Sequence, residues 1–292
     1  MSEAAVTSGK WSNVPVRIGT ALAIAAVVLF FLWIGRWVWL LAVAAMAVRM
    51  GYEFARMIGA SSERPAHENW IQLVVGPAAL LLFAFGPQYV FPGSFLADPI
   101  FARTLLFTMI GLGISALFFL RGRPALEWAT IGGAYIFVPL FAMLWLRNGG
   151  TGFDTPGARR VLFVILIVVA ADAGAYFAGK TIGGPKFIPR LSPNKTWAGF
   201  AGGLVAGGLL GGVLAELWSD DFFEGVLVGL VLVVAAVAGD FLESGFKRHF
   251  GVKDTGGILP GHGGVLDRVD SHMAALTVAA VVIALAPGLS PV

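Results

Sequence analysis

Cysteine is absent from the 292-residue sequence, which excludes disulfide bridges, thiolate metal sites and a cysteine nucleophile. Charge is scarce as well. Asp, Glu, Lys and Arg make up 13% of the chain, where an ordinary soluble domain carries roughly 25%. In their place stand apolar residues, 58% of the chain, and 39 glycines, with a mean hydropathy of +0.83. A water-soluble fold of this length could not cover so much apolar surface. Disorder and the ordinary globular classes are therefore excluded, and an integral membrane protein remains. A net charge of +3 and a pI near 9.4 invite a nucleic-acid reading. The basic residues, however, are segregated by connection, which marks orientation in a lipid bilayer and not a nucleic-acid partner.

Apolar runs predict an all-α polytopic bundle of about nine transmembrane helices (range eight to ten) joined by short loops. The spans are Val16–Ile34, Val38–Met57, Ile71–Phe85, Ala102–Leu120, Ala125–Leu146, Val161–Phe177, Trp197–Leu214, Phe223–Leu242 and His272–Ala286. Several are short for a hydrocarbon core about 30 Å thick, so tilted, re-entrant or bundle-buried segments are expected among them. The first span is expected to be retained and not cleaved. Its leading segment is long and weakly charged (Lys10, Arg17), and no cleavage site precedes the next span.

With the N-terminus placed in the cytoplasm, fifteen of the 20 Lys and Arg fall in cytoplasmic segments and five on the other face: Arg36, Arg103, Arg147, Arg159 and Arg160. That bias predicts an N-in, C-out arrangement. The segment from Arg147 to Arg160 holds three of the five exceptions. The connection around Asp220, Asp221 and Glu224 has no cation, as expected of an outer loop. No soluble domain fits. The chain divides into an N-terminal multi-span region, 1–160, and a C-terminal catalytic region, 161–292. In the seventh span Gly199, Gly203, Gly207 and Gly211 recur every four residues, a flat ridge for close helix approach, with a lipid-access groove as the alternative use.

Acidic residues of the first 150 positions sit mostly at span ends or in loops, where a solvated or snorkelling role is expected. Those of the last 125 differ. Asp172, Asp240, Glu243, Asp254, Asp267 and Asp270 cluster at or beside cytoplasmic span ends, although the topology was built from cations alone. Asp240 and Glu243 are three apart, so on a helix they share a face, and Asp267 and Asp270 repeat the spacing. Two such pairs facing each other supply the hard oxygen ligands that Mg²⁺ prefers. The plainer alternative is a set of interfacial salt bridges with neighbouring Lys and Arg.

Between the pairs lie Lys247, Arg248 and Lys253, each able to neutralise phosphate oxygens, then a Gly261-His262-Gly263-Gly264 turn whose glycines allow close backbone approach. A second basic loop runs from Gly183 through Lys186 to Ser192, Lys195 and Thr196 and opens the seventh span, whose N-terminal N–H groups would face an anion. It is not a P-loop, because Asn194 stands where the Gly before Lys-Thr belongs. Carboxylates beside two basic, Gly-rich loops point to phosphoryl or nucleotidyl transfer at the membrane surface, chemistry that needs charge neutralisation and alignment more than a protein nucleophile.

The stretch from Ser244 to Asp270 resembles the integral-membrane phosphatidate cytidylyltransferases (CDP-diacylglycerol synthases). The family signature is filled by Ser244, Lys247, Arg248, Lys253, Asp254, His262-Gly263-Gly264, Asp267, Arg268 and Asp270. Gly239-Asp240 and Glu243-Ser244 resemble its lead-in. Asp172 with Ala175-Tyr176 and Gly179, and Ser192-Pro193 with Lys195-Thr196, resemble its upstream elements. The strong likeness runs from Asp172 to Ser271. One departure is Trp197-Ala198-Gly199, where the family has Glu-Gly after Lys-Thr.

The resemblance implies condensation of CTP with phosphatidic acid to CDP-diacylglycerol and pyrophosphate, in phospholipid biosynthesis at the inner (cytoplasmic) membrane of a prokaryote, with the site facing the cytoplasm. It implies Mg²⁺, with a second cation such as K⁺, and a homodimer. Asp240, Asp267 and Asp270 would hold metal, with Glu243 and Asp172 behind them. Lys247, Arg248, Lys253 and Arg268 would contact the triphosphate or the lipid head group. Ser192, Lys195 and Thr196 would bind nucleotide phosphates, with Asp254, Gly263 and Gly264 also in the substrate site. His262 would position phosphate or water. A CTP transferase acting on another lipid phosphate is the nearest alternative. A transporter relaying ions through intramembrane carboxylates would need mid-span carboxylates and paired repeats, and the sequence offers neither.

Overall fold

The computed structural model describes residues 14–60, 81, 124–189, 191–258 and 263–290. Among these the chain is helical throughout, with seven α-helices and a closing 3₁₀ turn at Pro287–Leu289. The helices are α1 (Val14–Ile34), α2 (Arg36–Ala60), α3 (Pro124–Leu146), α4 (Pro156–Thr181), α5 (Trp197–Ser219), α6 (Phe222–His249) and α7 (Leu266–Leu285). Five of them (α2, α4, α5, α6, α7) are long and apolar enough to cross a membrane, and α1 and α3 carry shorter apolar stretches. Seven of the nine expected spans thus correspond to helices. The spans Ile71–Phe85 and Ala102–Leu120 lie outside the described residues, apart from Leu81, which is buried.

The apolar runs fix where helices exist but not where they stop. α6 continues seven residues past the expected end at Leu242, and α7 starts six residues before the expected His272. Hydropathy falls where carboxylates begin, yet the backbone ladder carries on through them. Helical geometry therefore fixes Asp240, Glu243, Asp267 and Asp270 in place.

Packing sets the alternation of the bundle. The ridge of Gly199, Gly203, Gly207 and Gly211 is buried on α5. Gly203 faces the Ala171 carbonyl of α4, and Gly211 lies where a Cβ would stand 3.2 Å from both Gly229 Cα of α6 and Ile167 of α4. Helix packing is thus the ridge's main use. At one end of the bundle lie the C-termini of α2, α4 and α6 with the N-termini of α3, α5 and α7. Phe54 of α2 sits 5.7 Å from Phe246 of α6, and Trp128 of α3 sits 4.9 Å from Phe250, which joins the N-terminal helices to the end of α6.

The opposite end is closed by Arg147, which is buried and donates from Nε (2.9 Å) and Nη2 (2.7 Å) to the Leu32 carbonyl, and from Nη1 to Gly150 O at 3.0 Å. It satisfies a terminal carbonyl of α1 where no later turn could. Its neighbours also have local work. Arg159 lies 5.9 Å from the Trp218 ring centre, and Arg160 donates to Ser290 Oγ at 3.4 Å. All three exceptions to the cation bias in this segment thus have structural partners.

Candidate active site

α6 presents Asp240 and Glu243 one turn apart, and the first turn of α7 brings Asp270 against them. Carboxylate oxygens of Asp240, Glu243 and Asp270 all lie within 4.8 Å of one another. Glu243 is fully buried and Asp270 nearly so. Three carboxylates this close repel strongly unless cations intervene. Glu243 Oε2 accepts from Lys247 Nζ at 2.9 Å, while Glu243 Oε1 is buried with no hydrogen-bond partner. An orphaned oxygen within a set of hard carboxylate donors fits a divalent cation such as Mg²⁺.

Asp267 is placed differently from expectation. Its Oδ1 accepts from Lys247 Nζ at 3.0 Å, and its Oδ2 accepts from Thr255 N, Thr255 Oγ1 and Gly264 N, each at 2.9 Å. These donors engage both oxygens, so Asp267 is fastened to the loop that precedes it, whereas Asp240, Glu243 and Asp270 converge. Lys247, expected to meet phosphate, bridges Glu243 and Asp267.

The two basic loops meet here. Phe187 stacks on Phe200 and Phe241, with ring centres 5.0 and 5.6 Å apart, and pins the loop between α4 and α5 onto α6. Lys195 ion-pairs with Asp240 and lies 4.9 Å from the Phe241 ring centre. Burial lowers the Lys195 ammonium from the ordinary lysine range, against the pull of Asp172 and Asp270. Thr196 is the N-cap of α5 and accepts from Gly199 N at 3.0 Å. Ser192 belongs to the same loop, its N–H bonded to Ile188 O at 3.0 Å.

A cavity of about 510 Å³ opens beside these residues, lined by Asp172, Lys195, Thr196 and Ser271 at its polar places and by Ala171, Val233 and Ala236 among its apolar ones. Gly199 and Gly203, the first two members of the glycine ridge, also line it. Asp172 faces this cavity and is not one of the converging three. Arg248, Lys253, Asp254 and Arg268 are exposed at the same end of the bundle. Gly263 takes a φ of +81°, a conformation that favours glycine. His262 lies outside the described residues.

One residue was missed. Glu53, in the second apolar span, is fully buried and not solvated. Its Oε1 meets Arg49 Nη2 at 2.9 Å and Val265 N at 3.0 Å, and its Oε2 accepts from Leu266 N at 2.8 Å. The signal was present: Arg49 and Glu53 form an i,i+4 pair inside a largely apolar run.

Fold and site together define a multi-helix membrane protein with carboxylates and cations gathered at one end of its bundle. The model of the cytidylyltransferase family matches residues 15–286, and the chain belongs to that family of enzymes. A phosphatidate cytidylyltransferase of Brucella suis biovar 1 (strain 1330) is 35% identical over 272 residues, 90% of this chain and 91% of its own. One of Bacillus subtilis (strain 168) is 33% identical over 266 residues, covering 88% and 93%. One of Staphylococcus aureus (strain COL) is 47% identical over 143 residues, covering 46% and 54%. The likeness therefore reaches well beyond Asp172–Ser271 into the N-terminal half.

Proposed function

We propose that the protein condenses CTP with phosphatidic acid to give CDP-diacylglycerol and pyrophosphate at the cytoplasmic face of a bacterial inner membrane. The observation that carries this reading is the convergence of Asp240, Glu243 and Asp270 beside Lys195 and Lys247, in a chain whose relatives are named for that activity.

A phosphatidate oxygen attacks the α-phosphorus of CTP. The bond from that phosphorus to the oxygen bridging the β-phosphorus breaks, and pyrophosphate leaves with the bridging oxygen. An ionised phosphate is already a nucleophile, so alignment and charge neutralisation are the main requirements. Asp240, Glu243 and Asp270 are the residues that would hold Mg²⁺. When bound there, it supplies neutralisation of phosphate charge and alignment of the attacking and leaving oxygens.

Lys195 exchanges its ion pair with Asp240 for nucleotide phosphate once substrate and metal arrive. Arg248, Lys253 and Arg268 present further cations to the triphosphate or to the lipid head group. Lys247 keeps the ends of α6 and α7 in register through Glu243 and Asp267. The apolar walls of the cavity beside Lys195 accept the upper part of the lipid and exclude water from the reacting phosphates.

Purified protein in mixed micelles, supplied with CTP and either phosphatidic acid or a polyprenyl phosphate, tests the acceptor. Phosphatidic acid is expected to yield the CDP-lipid, identified by mass. Faster turnover of the polyprenyl phosphate would assign the protein to the other acceptor.

A further inference from the structure

A fully buried carboxylate in an apolar helix is costly unless its charge is matched on all sides. Glu53 pairs with Arg49 one turn away at 2.9 Å, and its backbone donors, Val265 N and Leu266 N, are 212 and 213 residues away in sequence. α7 begins without a cap of its own: Val265, at its N-cap, makes no side-chain cap hydrogen bond. The first N–H groups of a helix need acceptors, and its positive end favours an anion. Glu53 provides both, accepting from Val265 N at 3.0 Å and Leu266 N at 2.8 Å.

The same carboxylate abuts the frame that fastens Asp267. Thr255 Oγ1 lies 2.9 Å from Asp267 Oδ2 and 3.4 Å from Glu53 Oε2. The hydroxyl has one proton, which goes to the nearer Asp267, and Glu53 bounds it from behind. Gly256 and Gly264 leave room for the carboxylate. A Cβ on Gly256 would stand 2.8 Å from Glu53 Oε1, and one on Gly264 would stand 2.6 Å from Oε2. Gly264, whose N–H holds Asp267, is thus also shaped around Glu53 and not around a ligand alone.

We infer that Glu53 is a positioning residue. As the trans-acting cap of α7, it fixes Thr255, Gly264 and the first turn of α7, and through them the placement of Asp267 and Asp270 against Asp240 and Glu243. The inference rests on the proposed reading of Asp240, Glu243 and Asp270 as metal-holding.

Titration of the purified full-length protein with Mn²⁺, following free ion by electron paramagnetic resonance, tests it alongside thermal unfolding and the Mg²⁺ dependence of turnover. Glu53→Gln is nearly isosteric, but it removes the charge and sets an NH₂ group against the backbone donors. Residues that orient metal ligands typically change affinity by about 10- to 100-fold. The expected result is folded Glu53→Gln with Mn²⁺ affinity weakened about tenfold or more, half-saturating Mg²⁺ raised in parallel, the KM for CTP at saturating metal little changed, and Glu53→Asp between the two.

Wild-type Mn²⁺ affinity in folded Glu53→Gln, or an activity loss that merely follows loss of folded protein, would overturn the inference. Should Glu53→Gln not accumulate, Gly264→Ala presses on the same carboxylate from the other side, and wild-type Mn²⁺ affinity there overturns it equally. Asp270→Asn separates the layers. Loss of Mn²⁺ binding in Asp270→Asn but not in Glu53→Gln rejects Glu53 alone, whereas unchanged binding in Asp270→Asn rejects the metal reading and this inference with it.

Discussion

Lys247 Nζ stands 3.0 Å from Asp267 Oδ1 and ties the last turns of α6 to the first turn of α7. The same ammonium lies 2.9 Å from Glu243 Oε2, so one cation serves two carboxylates. Removing one partner of a buried pair typically costs about 3–5 kcal/mol. Lys247→Met should therefore lower the melting temperature in detergent markedly. Added Mg²⁺ should raise that temperature more in the variant than in the wild type, because the carboxylates then lack their internal cation. Equal Mg²⁺ shifts in both proteins would argue against Lys247 as that counter-charge.

Asp240 and Asp270 oppose each other within the converging set. Asp240→Asn and Asp270→Asn should each reduce turnover by about 10²-fold or more, on the scale of losing one preorganised charge-stabilising group. Thermal stability of Asp270→Asn should hold or rise, since it removes one of three mutually repelling charges, whereas Asp240→Asn also gives up the ion pair with Lys195. Near-wild-type turnover in both variants would reject the assignment.

Arg147 acts at the far end of the bundle through Leu32 O and Gly150 O. Arg147→Ala should cost roughly 2–4 kcal/mol, from lost charged hydrogen bonds and a buried carbonyl left without them. Turnover per folded molecule, assayed at low temperature, should stay at the wild-type level.

Two glycines should respond in opposite ways. A Cβ at Gly211 meets Gly229 Cα and Ile167 Cδ1 at 3.2 Å, whereas a Cβ at Gly245 meets nothing within 4 Å. Gly211→Leu should destabilise by about 1–3 kcal/mol or more through overpacking. Gly245→Ala should be neutral or stabilising by about 0.5–1 kcal/mol, because it sits within helix α6. Melting temperatures of the two variants make the comparison.

The absence of cysteine makes orientation directly measurable. A Cys placed at Asp220, in the turn between α5 and α6, should react with an impermeant maleimide added to intact cells. One at Asp254 should react only after the cells are opened. The reverse pattern would invert the proposed topology.

Much of this arrangement was legible in the sequence because its determinants are local. Apolar runs located seven helices, and the three-residue spacing of Asp240 and Glu243 placed both on one helical face. The Gly199–Gly211 ridge announced close packing. What was not legible depends on contacts between distant segments. Asp267 and Asp270 share a spacing, yet Asp267 turns to Thr255, Gly264 and Lys247 while Asp270 joins the α6 carboxylates, a choice made by the loop fold. Glu53 and Arg147 looked like ordinary span-end charges because their partners are far away in sequence: Val265 and Leu266 for one, Leu32 for the other.

The most direct test is stoichiometry. Purified protein supplied with CTP, phosphatidic acid and Mg²⁺ should release pyrophosphate and form CDP-diacylglycerol in equal amounts, and neither product should appear when phosphatidic acid is withheld or the metal is chelated. Pyrophosphate release without a CDP-lipid, or no turnover of CTP with phosphatidic acid present, would contradict the proposed reaction.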